Sequence, residues 1–480
     1  MNYTTQTAYT QIDLFSETQE PPVQSQEYLL IPSTLSGFHN TSTELQETSS
    51  IHDVLNVHGV LDLDDSERVC PDCGAALHIN GYSDQSLRHL PVGQTLLHIS
   101  FPRAQFLCPL CGHTHMQRIP FKAEHHRITT ALENYTCSLL EKGYTNKQVS
   151  QITGLGQNTV KTIDKRRLLS IYTRDGSLIQ PGDYAKFLGI DEFKLHNHHK
   201  YATHIIDMST GHILWIAEGK KKKVVYDFME HVGMEWMQHV VAVAMDMNSD
   251  FQEAFQDKCP HVRVVYDHFH IVKNFNEKVV SEIRKAEEVR LIKEGKKDAA
   301  KTLKRSGRIL TIGKAAMEKM DKEASDGKVI RKGSELFGIA PVQRKGGITE
   351  RYQELIREND LLTTVDLVKA KLADAYAVGG AKEMIEAVDR LKSPEERMEK
   401  ILLEILEICE ASQNCHLLWF KRLLTSHWDG IISHATYMLS SGKIEGINNK
   451  IKTLRRQGYG YPDDEYFFLK LMDASRQKSH

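Results

Sequence analysis

Four of the eight cysteines form two matched Cys-x-x-Cys pairs, a spacing typical of a metal site. The pairs are Cys70-Pro71-Asp72-Cys73-Gly74 and Cys108-Pro109-Leu110-Cys111-Gly112. Four thiolates at ~2.3 Å from the metal make a closed tetrahedral Zn²⁺ site that has no open position for catalysis. The sequence therefore predicts one structural zinc, held by Cys70, Cys73, Cys108 and Cys111. A redox pair would not need two matched motifs, and we expect the neighbouring His113 and His115 to be surface residues.

Three acidic residues are candidates for a second kind of metal site. Asp191 lies in the predicted strand Gly189-Ile190-Asp191-Glu192-Phe193, where Asp191 and Glu192 cannot both face one site because strand side chains alternate. Asp246 ends the apolar run 240–245, and parallel sheets bind ligands at such strand ends. Glu445 lies beside the apolar stripe of a predicted helix.

Carboxylates from two strands and one helix can hold two Mg²⁺ or Mn²⁺ ions ~3.5–4 Å apart. Such a pair activates water and stabilises the leaving oxygen when a phosphodiester is cut. The pattern predicts Asp191, Asp246 and Glu445 as metal ligands and catalytic residues. Each acid taken alone is more simply explained as a solvated or helix-capping residue, so the prediction depends on the combination.

The segment 122–170 is basic and predicts a helix-turn-helix. Helices are predicted over 132–142, 146–152 and 157–167, and a glycine-containing turn at 153–156 joins the second to the third. The predicted packing positions are Val149, Ile152, Leu155, Val160 and Ile163. Twelve basic and six acidic residues over 68–168 favour DNA over an ordinary helical hairpin with a solvated face. The predicted groove contacts are Gln157, Asn158, Thr159 and Lys161, and the predicted phosphate contacts are Lys165, Arg166 and Arg167. The stretch that starts at Arg455 and Arg456 is predicted to follow the Glu445 helix, and its basic residues beside aromatics suit DNA. Lys450 and Lys452 are also predicted to contact DNA.

The formal net charge of -2 averages over unlike parts of the chain. Residues 1–67 contain eleven acids and no Lys or Arg, whereas 68–480 has a net charge of +9. We predict a mostly flexible acidic tail over 1–67, in which 54–61 docks locally, then a zinc ribbon over 68–117 and a helix-turn-helix domain over 122–170. Over 184–282 the predicted order βββαβαβ indicates a mixed sheet with packed helices. Residues 283–432 are predicted to be helical, and 433–480 forms a final helical part.

Composition also predicts where the protein works. The longest apolar run, 240–245, is far shorter than the ~20 residues of a membrane helix. The N-terminus lacks the basic and apolar regions of a secretory signal. We therefore expect a cytoplasmic protein in a reducing compartment, with no membrane partner.

Taken together, these motifs resemble insertion-sequence DDE transposases of the ISL3 family over about 68–475. The resemblance is carried by the cysteine pairs, the helix-turn-helix, the strand around Asp191, Asp246, the stretch 267–272 and, most specifically, Ile444-Glu445-Gly446-Ile447-Asn448-Asn449-Lys450-Ile451-Lys452. It implies a multi-domain α+β protein whose RNase H-like α/β core is interrupted by a helical insertion, with Asp191, Asp246 and Glu445 as the catalytic triad. Asp267 and His270 match a motif that follows the second acid in related transposases. From the residues alone, they either bond a catalytic group or the scissile strand, or form an ordinary polar pair in the core.

The resemblance implies Mg²⁺-dependent cleavage at the terminal inverted repeats of an insertion sequence, followed by strand transfer to target DNA. It also implies a homo-oligomer on double-stranded DNA and a prokaryotic, nucleoid-associated location. An alternative is a zinc-ribbon transcription regulator, derived from a transposase, that binds DNA without cutting it. The intact triad counts against that alternative. A purely structural role for the 283–432 helices would leave both the cysteines and the triad unexplained.

Overall fold

The computed structural model describes residues 35–47, 52–196, 200–325, 347–380, 383, 389, 391–440, 442–458 and 461–477. The chain divides after Arg167 into two compact units, Met1–Arg167 and Leu168–His480. Helices and strands occur in both units, which confirms the predicted α+β class. In the part of the chain described, none of the helices has the length and apolar content needed to cross a membrane.

The first unit is built on a five-stranded sheet. Its strands are β1 (Phe38–Gln46), β2 (Val54–Leu61), β3 (His78–Val92), β4 (Thr95–Leu107) and β5 (Thr114–Met116). The order is β1-β2-β4-β3, and β5 pairs with β4. Because strand side chains alternate, Leu97, Ile99 and Phe101 of β4 all enter the core.

Two of these strands lie within the segment 1–67 that we predicted as a mostly flexible tail. β2 runs parallel to β4, with Val57 fully buried opposite Ile99. The local docking expected for 54–61 is thus a strand pairing, and β1 adds a further strand outside it. The structure differs from the prediction because parallel pairing joins strands that are distant in sequence, which local composition does not reveal. Residues 1–34 and 48–51 of the predicted tail lie outside the described residues.

Three helices follow the sheet of the first unit: α1 (Thr130–Glu141), α2 (Asn146–Thr153) and α3 (Gln157–Tyr172). Thr145 and Gln148 form a reciprocal capping box that begins α2, and Gly154 ends it with a left-handed φ of 70°. Val149, Leu155, Val160 and Ile163 are buried between the helices, as predicted. Ile152 is 37% exposed and does not pack there, because the buried side of α2 is formed by Val149 and Thr153, one turn apart.

The second unit contains a mixed sheet. After the short hairpin of β6 (Thr173–Arg174) and β7 (Ser177–Leu178), its strands are β8 (Phe187–His196), β9 (Lys200–Asp207), β10 (Ile213–Glu218), β11 (Ala242–Met245) and β12 (Arg263–Tyr266). The order is β10-β9-β8-β11-β12. β8, β9 and β10 pair antiparallel, whereas β11 is parallel to both β8 and β12. All four residues of β11 are buried, since both faces of the sheet are covered.

Some helices of the second unit pack on the two faces of this sheet, and others pack on those helices. They are α4 (Lys222–Val232), α5 (Met234–Met237), α6 (Ser249–Lys258), α7 (His268–Asn274), α8 (Ser281–Lys293), α9 (Lys297–Lys304), α10 (Gly307–Thr311), α11 (Lys314–Ser325), α12 (Ile348–Arg357), α13 (Asp360–Ala377), α14 (Pro394–Ala411), α15 (Cys415–Ser426), α16 (Trp428–Tyr437), α17 (Gly442–Gln457) and α18 (Asp464–Arg476). A π-helical turn over Phe275–Val280 joins α7 to α8.

Alternate residues of β11 enter two different cores. Val243 and Met245 belong to the larger core, which also contains the buried side chains of α13 to α16. Ala242 and Ala244 belong to the other, which is closed by α17 and α18. Helices α13 to α16 therefore pack on one face of the sheet, and α17, which carries Glu445, packs on the opposite face with α18.

Candidate functional site

The four paired cysteines converge in the first unit. The Sγ atoms of Cys70 and Cys111 are 3.7 Å apart, those of Cys73 and Cys108 are 3.4 Å apart, and all four lie within 4.8 Å of one another. Four sulfurs at ~2.3 Å from a tetrahedral zinc would be separated by ~3.8 Å. The cluster therefore fits the closed zinc site that the sequence predicts.

Each cysteine pair lies on a tight turn that orients its thiols. The N–H of Gly74 donates to the Cys70 carbonyl at 2.9 Å, and the N–H of Gly112 donates to the Cys108 carbonyl at 3.0 Å. Both glycines have a left-handed φ, 74° and 75°. The Cys111 N–H also points to the Cys108 Sγ at 3.5 Å and lowers the pKa of that thiol, which favours the thiolate that binds metal.

The two histidines beside the second pair differ in position. His113 is 64% exposed, as expected, and its Nδ1 is 2.7 Å from an oxygen of Asp72. His115 is only 23% exposed, and its Nε2 is 3.5 Å from the Cys70 Sγ. His115 thus lies against the cluster rather than on the open surface, because β5 pairs it with Phe106 of β4.

In the second unit, parallel pairing brings Asp191 and Asp246 to neighbouring positions. The last pair of the β11–β8 ladder is Ala244 with Gly189, two residues before Asp246 and Asp191 respectively. The charges of both acids act on the pKa of Glu192, so both lie near that side chain. Asp246 comes directly after β11, in the turn before α6.

Glu445 lies in the first turn of α17, on the helix that covers this edge of the sheet. Ile444, Ile447 and Ile451 bury one stripe of α17, which leaves Glu445 exposed. Asn448, one turn further along, donates from Nδ2 to Asp191 Oδ2 at 2.7 Å. Since residues three apart share a helix face, Glu445 lies on the side of α17 that faces Asp191.

Two contacts hold α17 against β8. Arg455 donates to the carbonyls of Lys194 and Leu195 at 2.6 and 2.7 Å. Gly189 provides the close approach, because a Cβ there would be 3.0 Å from the Ile444 Cδ1 and 2.6 Å from the Met208 Sδ. The helix that carries Glu445 is therefore fixed to the strand that carries Asp191.

His270 connects the second acid to the neighbouring strand. Its Nδ1 is 3.2 Å from Asp246 Oδ2, and its Nε2 is 3.7 Å from Asp267 Oδ2. Asp267 follows β12 and begins α7 by accepting the N–H of Phe269 at 3.1 Å. The ring thus lies between two carboxylates, one of them a predicted catalytic acid.

Glu192 was excluded from the site by the alternation argument, yet it adds to the negative charge there. Burial raises the pKa of Glu192, and the charges of Asp191 and Asp246 raise it further, against the lowering effect of Lys220 and the Asn248 hydrogen bond. Asn248, two residues beyond Asp246, donates to Glu192 Oε2 at 3.1 Å. The only sequence signals for these contacts were the closeness of Glu192 to Asp191 and of Asn248 to Asp246.

The acids face one region without closing into a tight cluster. Within the described ranges, the groups of three or more ligand atoms lying within 4.8 Å of one another all belong to the cysteine cluster and its neighbours. The carboxylates of Asp191, Asp246 and Glu445 are therefore more widely spaced.

Comparison with known proteins identifies the chain. A family model described as "Transposase", of the ISL3 type, matches residues 188–471, more than half of the sequence. The chain belongs to the ISL3 family of transposases. A second model, the zinc-finger of transposases IS204, IS1001, IS1096 and IS1165, matches residues 66–111 of this transposase and contains all four clustered cysteines. The predicted family and the predicted function as a transposase are confirmed, and the cluster together with the matching model indicates zinc.

Two relatives of this transposase are similar over most of their length. The transposase for insertion sequence element IS1001 of Bordetella parapertussis is 27% identical over 408 residues, which cover 85% of this chain and 88% of that protein. The transposase for insertion sequence element IS1557 of Mycobacterium tuberculosis is 23% identical over 410 residues, with 82% of each chain covered. Membership of this family implies DNA binding, DNA cleavage and strand transfer.

The predicted DNA contacts of this transposase on α3 fall into two groups. Gln157 and Asn158 are exposed, Thr159 and Lys161 are half-buried, and all four belong to the first turns of α3. Arg166 donates to Glu133 at 3.2 Å, and the Arg167 side chain is 7% exposed and donates to Asp164 at 2.9 Å. A phosphate contact by either arginine would require it to exchange these partners.

The predicted DNA contacts on α17 are also divided. Lys452 and Arg456 are exposed, whereas Lys450 donates to the Ala474 carbonyl at 3.1 Å. Arg455 is held by β8 and lies over the ring of Phe467, with its guanidinium carbon 5.6 Å from the ring centroid. Lys452 and Arg456 are the residues of this set that are most accessible to DNA.

Proposed function

We propose that this transposase cuts DNA at the ends of an insertion sequence and joins those ends to target DNA through a DDE mechanism. The observation that carries the proposal is the hydrogen bond from Asn448 on α17 to Asp191 on β8, at the edge of the sheet where Asp246 also lies. Acids from two strands and one helix, separated in sequence, thereby face one region.

The fold proposed for the second unit is an RNase H-like core over 184–282 and 433–480, interrupted by a helical insertion over 283–432. The strand order β10-β9-β8-β11-β12, with three antiparallel strands followed by two parallel ones, supports it. Most of the long separation of Glu445 from Asp246 in sequence is then due to the insertion. α17 packs on the face of the sheet opposite to the one covered by α13 to α16.

The donor set suits hard divalent cations, which take oxygen ligands. Asp191, Asp246 and Glu445 would hold two Mg²⁺ or Mn²⁺ ions, next to Glu192, whose pKa is raised mainly by burial and further by the charges of Asp191 and Asp246. When bound, the ions would activate the attacking hydroxyl and stabilise the leaving oxygen of the phosphodiester. Asn448 orients the Asp191 carboxylate, and His270 lies against the Asp246 carboxylate. Asp267 and His270 are thus proposed as residues that orient Asp246.

DNA recognition is proposed for the first unit. Cys70, Cys73, Cys108 and Cys111 would hold one structural Zn²⁺, and α1, α2 and α3 would form a helix-turn-helix. The turn between α2 and α3 is short, and the exposed start of α3 carries Gln157 and Asn158, which suits a recognition helix in the major groove. Lys161, Lys165, Arg166, Arg167, Lys450, Lys452, Arg455 and Arg456 remain the proposed phosphate and groove contacts.

The proposed partners are the terminal inverted repeats of the element and target DNA. Both ends must be held together for strand transfer, so we propose a homo-oligomer on the DNA. The proposed place of work is the nucleoid of a prokaryotic cytoplasm.

Strand cleavage tests the proposed function. The full-length protein is incubated with Mg²⁺ and a duplex that contains the DNA bordering its gene, and nicked products are resolved on denaturing gels. Asp246→Ala should lower cleavage by at least ~10³-fold, because it removes a ligand whose contribution is several kcal/mol. Asp250→Asn is the matched control, since Asp250 is four residues away and pairs with Lys221 at 3.0 Å. Equal cleavage by Asp246→Ala and the wild type would exclude the mechanism, and DNA binding without any cleavage would favour a non-cleaving regulator.

A further inference from the structure

A polar cavity of about 410 Å³ lies in the first unit, away from the cysteine cluster. Strands β3 and β4, the loop before α1, and the start of α3 all contribute to it. Its polar lining side chains are Ser86, Arg88, His98, His126, Arg127 and Thr159. No carboxylate is among the nine residues that line it, so the cavity is bordered by basic and neutral groups only.

The basic side chains come from elements that are rigidly connected. Arg88 of β3 pairs with His98 of β4, so both side chains lie on the same face of the sheet. The Arg88 N–H donates to the Arg127 carbonyl at 3.1 Å, and the Arg88 guanidinium donates to the Gly154 carbonyl at 2.5 Å. The sheet, the loop and the turn before α3 are therefore joined through one residue.

The buried edge of His98 and the start of α3 both offer hydrogen-bonding groups to the cavity. His98 Nε2 is buried and makes no hydrogen bond with any described residue. Burial and the neighbouring charge of Arg88 lower the pKa of His98. Gly156 and Thr159 also place the N-terminal turn of the 16-residue α3 at the cavity, where backbone N–H groups and the helix dipole favour an anion.

We propose that this cavity binds a backbone phosphate of duplex DNA through Arg88 and Arg127 beside the start of α3. Guanidinium groups suit phosphate because their planar donors match its oxygens. The volume lies in the range of small-ligand pockets, larger than a bare ion needs, which suits a phosphate with its attached sugars. The proposal rests on the DNA binding proposed for this unit and adds residues that the helix-turn-helix alone does not contain.

A phosphate held here has a consequence for recognition. Phosphate contacts fix the register of a protein on the duplex, whereas base contacts specify the sequence. Gln157 and Asn158 directly follow Gly156 of the cavity and are exposed. The cavity would therefore set where these two side chains meet the bases.

The test measures DNA affinity of the full-length protein against salt for the duplex that borders the gene. Arg127→Gln is the main variant, because the Arg127 side chain is exposed and only its backbone carbonyl supports Arg88. Loss of one phosphate contact should reduce the slope of log K against log salt by about 0.9. Ser86→Glu, which places a carboxylate at an exposed lining position, should also lower the DNA affinity and reduce this slope. Arg118→Gln is the matched control, since Arg118 is exposed, in the same unit and outside the lining, and it should leave the slope close to wild type.

Ethylation interference locates the contact on the DNA. Ethylation of one phosphate should block the wild type and have no further effect on Arg127→Gln, while interference at the other phosphates is retained. Equal slopes for Arg127→Gln and the wild type, or equal losses for Arg127→Gln and Arg118→Gln, would overturn the proposal. Inorganic phosphate, tested at fixed ionic strength, distinguishes a site for the free ion. The proposal is also overturned if phosphate protects the wild type but not Arg127→Gln from thermal unfolding, while both proteins give the same ethylation interference pattern. Failure of the wild type to bind DNA would contradict the proposed function as well, whereas wild-type binding with an unaltered Arg127→Gln contradicts the phosphate site alone.

Discussion

Asn448 donates a hydrogen bond from Nδ2 to Asp191 Oδ2 at 2.7 Å, across 257 residues of sequence. The bond joins α17, which carries Glu445, to β8, which carries Asp191. In sequence, β8 precedes the helical segment 283–432 and α17 follows it. It also leaves Asp191 Oδ1 to accept the N–H of Glu192 at 2.8 Å, so both oxygens of this carboxylate are held. A carboxylate held in this way is oriented before any cation or substrate arrives.

Replacing Asn448 should weaken catalysis without abolishing it. Loss of a group that orients a metal ligand typically costs 10–100-fold, so Asn448→Ala should reduce strand cleavage by about that factor. The half-saturating Mg²⁺ concentration should rise, while DNA affinity and Tm stay close to wild type. Asn449→Ala is the control, because Asn449 is the same residue type at an exposed adjacent position. Equal cleavage by the two variants would show that the Asn448 bond has no role in positioning.

The contact of α17 with β8 predicts that Gly189 does not accept a side chain. A Cβ there would meet Met208 Sδ at 2.6 Å and Ile206 and Ile444 at 3.0 Å, so Gly189→Ala should destabilise the protein by about 1–3 kcal/mol through overpacking. Gly446→Ala on α17 should be neutral or stabilising by up to about 1 kcal/mol, because open space surrounds that position and alanine favours the helix. Urea denaturation measures both, and equal midpoints for the two variants would contradict the close approach.

The cysteine cluster predicts a zinc content that depends on each thiol. Cys73→Ser should lower the bound zinc from about one ion per chain and reduce the thermal stability of the first unit, since structural zinc contributes folding free energy. Metal analysis of the purified protein measures the first effect and calorimetry the second. Cys415→Ser is the control, because Cys415 is exposed and lies outside the cluster. Full zinc content in Cys73→Ser would exclude that cysteine as a ligand.

The raised pKa of Glu192 predicts a pH-dependent stability. Because its folded-state pKa lies above the ordinary value of 4.5, the folded protein binds the Glu192 proton more readily than the unfolded chain does. The resulting stabilisation is present below that ordinary value and is lost as pH rises through the folded-state pKa. At pH 7 the ionised Glu192 therefore opposes folding, and Glu192→Gln should raise Tm by about 1–3 °C.

The Tm values of Glu192→Gln and the wild type are compared in EDTA, which keeps metal ions away from the acids. The gain in Tm for Glu192→Gln should disappear near pH 4, where the wild-type carboxyl is protonated as well. Glu230→Gln, at an exposed position of α4, should change Tm little at either pH. A gain of equal size at pH 4 and pH 7 would mean that the charge of Glu192 is not its cause.

Several features of this transposase follow from the sequence alone because they depend on local rules. Two Cys-x-x-Cys-Gly turns are sufficient to predict a zinc ribbon, since each turn is closed by its own backbone hydrogen bonds. The alternation and buried runs over 184–282 predict the strands of the second unit to within a few residues. A carboxylate after a buried strand, as at Asp246, predicts a site at the sheet edge by the same reasoning.

Only the tertiary structure decided which side chains meet. β1 and β2 belong to a sheet that the acidic composition of 1–67 did not indicate, because β2, with which β1 pairs, joins the sheet by pairing with the distant strand β4. Arg455, which stays a proposed DNA contact, donates to two carbonyls of β8, a pairing that the sequence did not indicate. The Asn448 bond to Asp191 and the cavity between Arg88 and Arg127 likewise join elements far apart in the chain. Residue type and spacing determine which elements form and what chemistry they can perform, whereas the contacts between elements depend on burial and register, which only the folded chain defines.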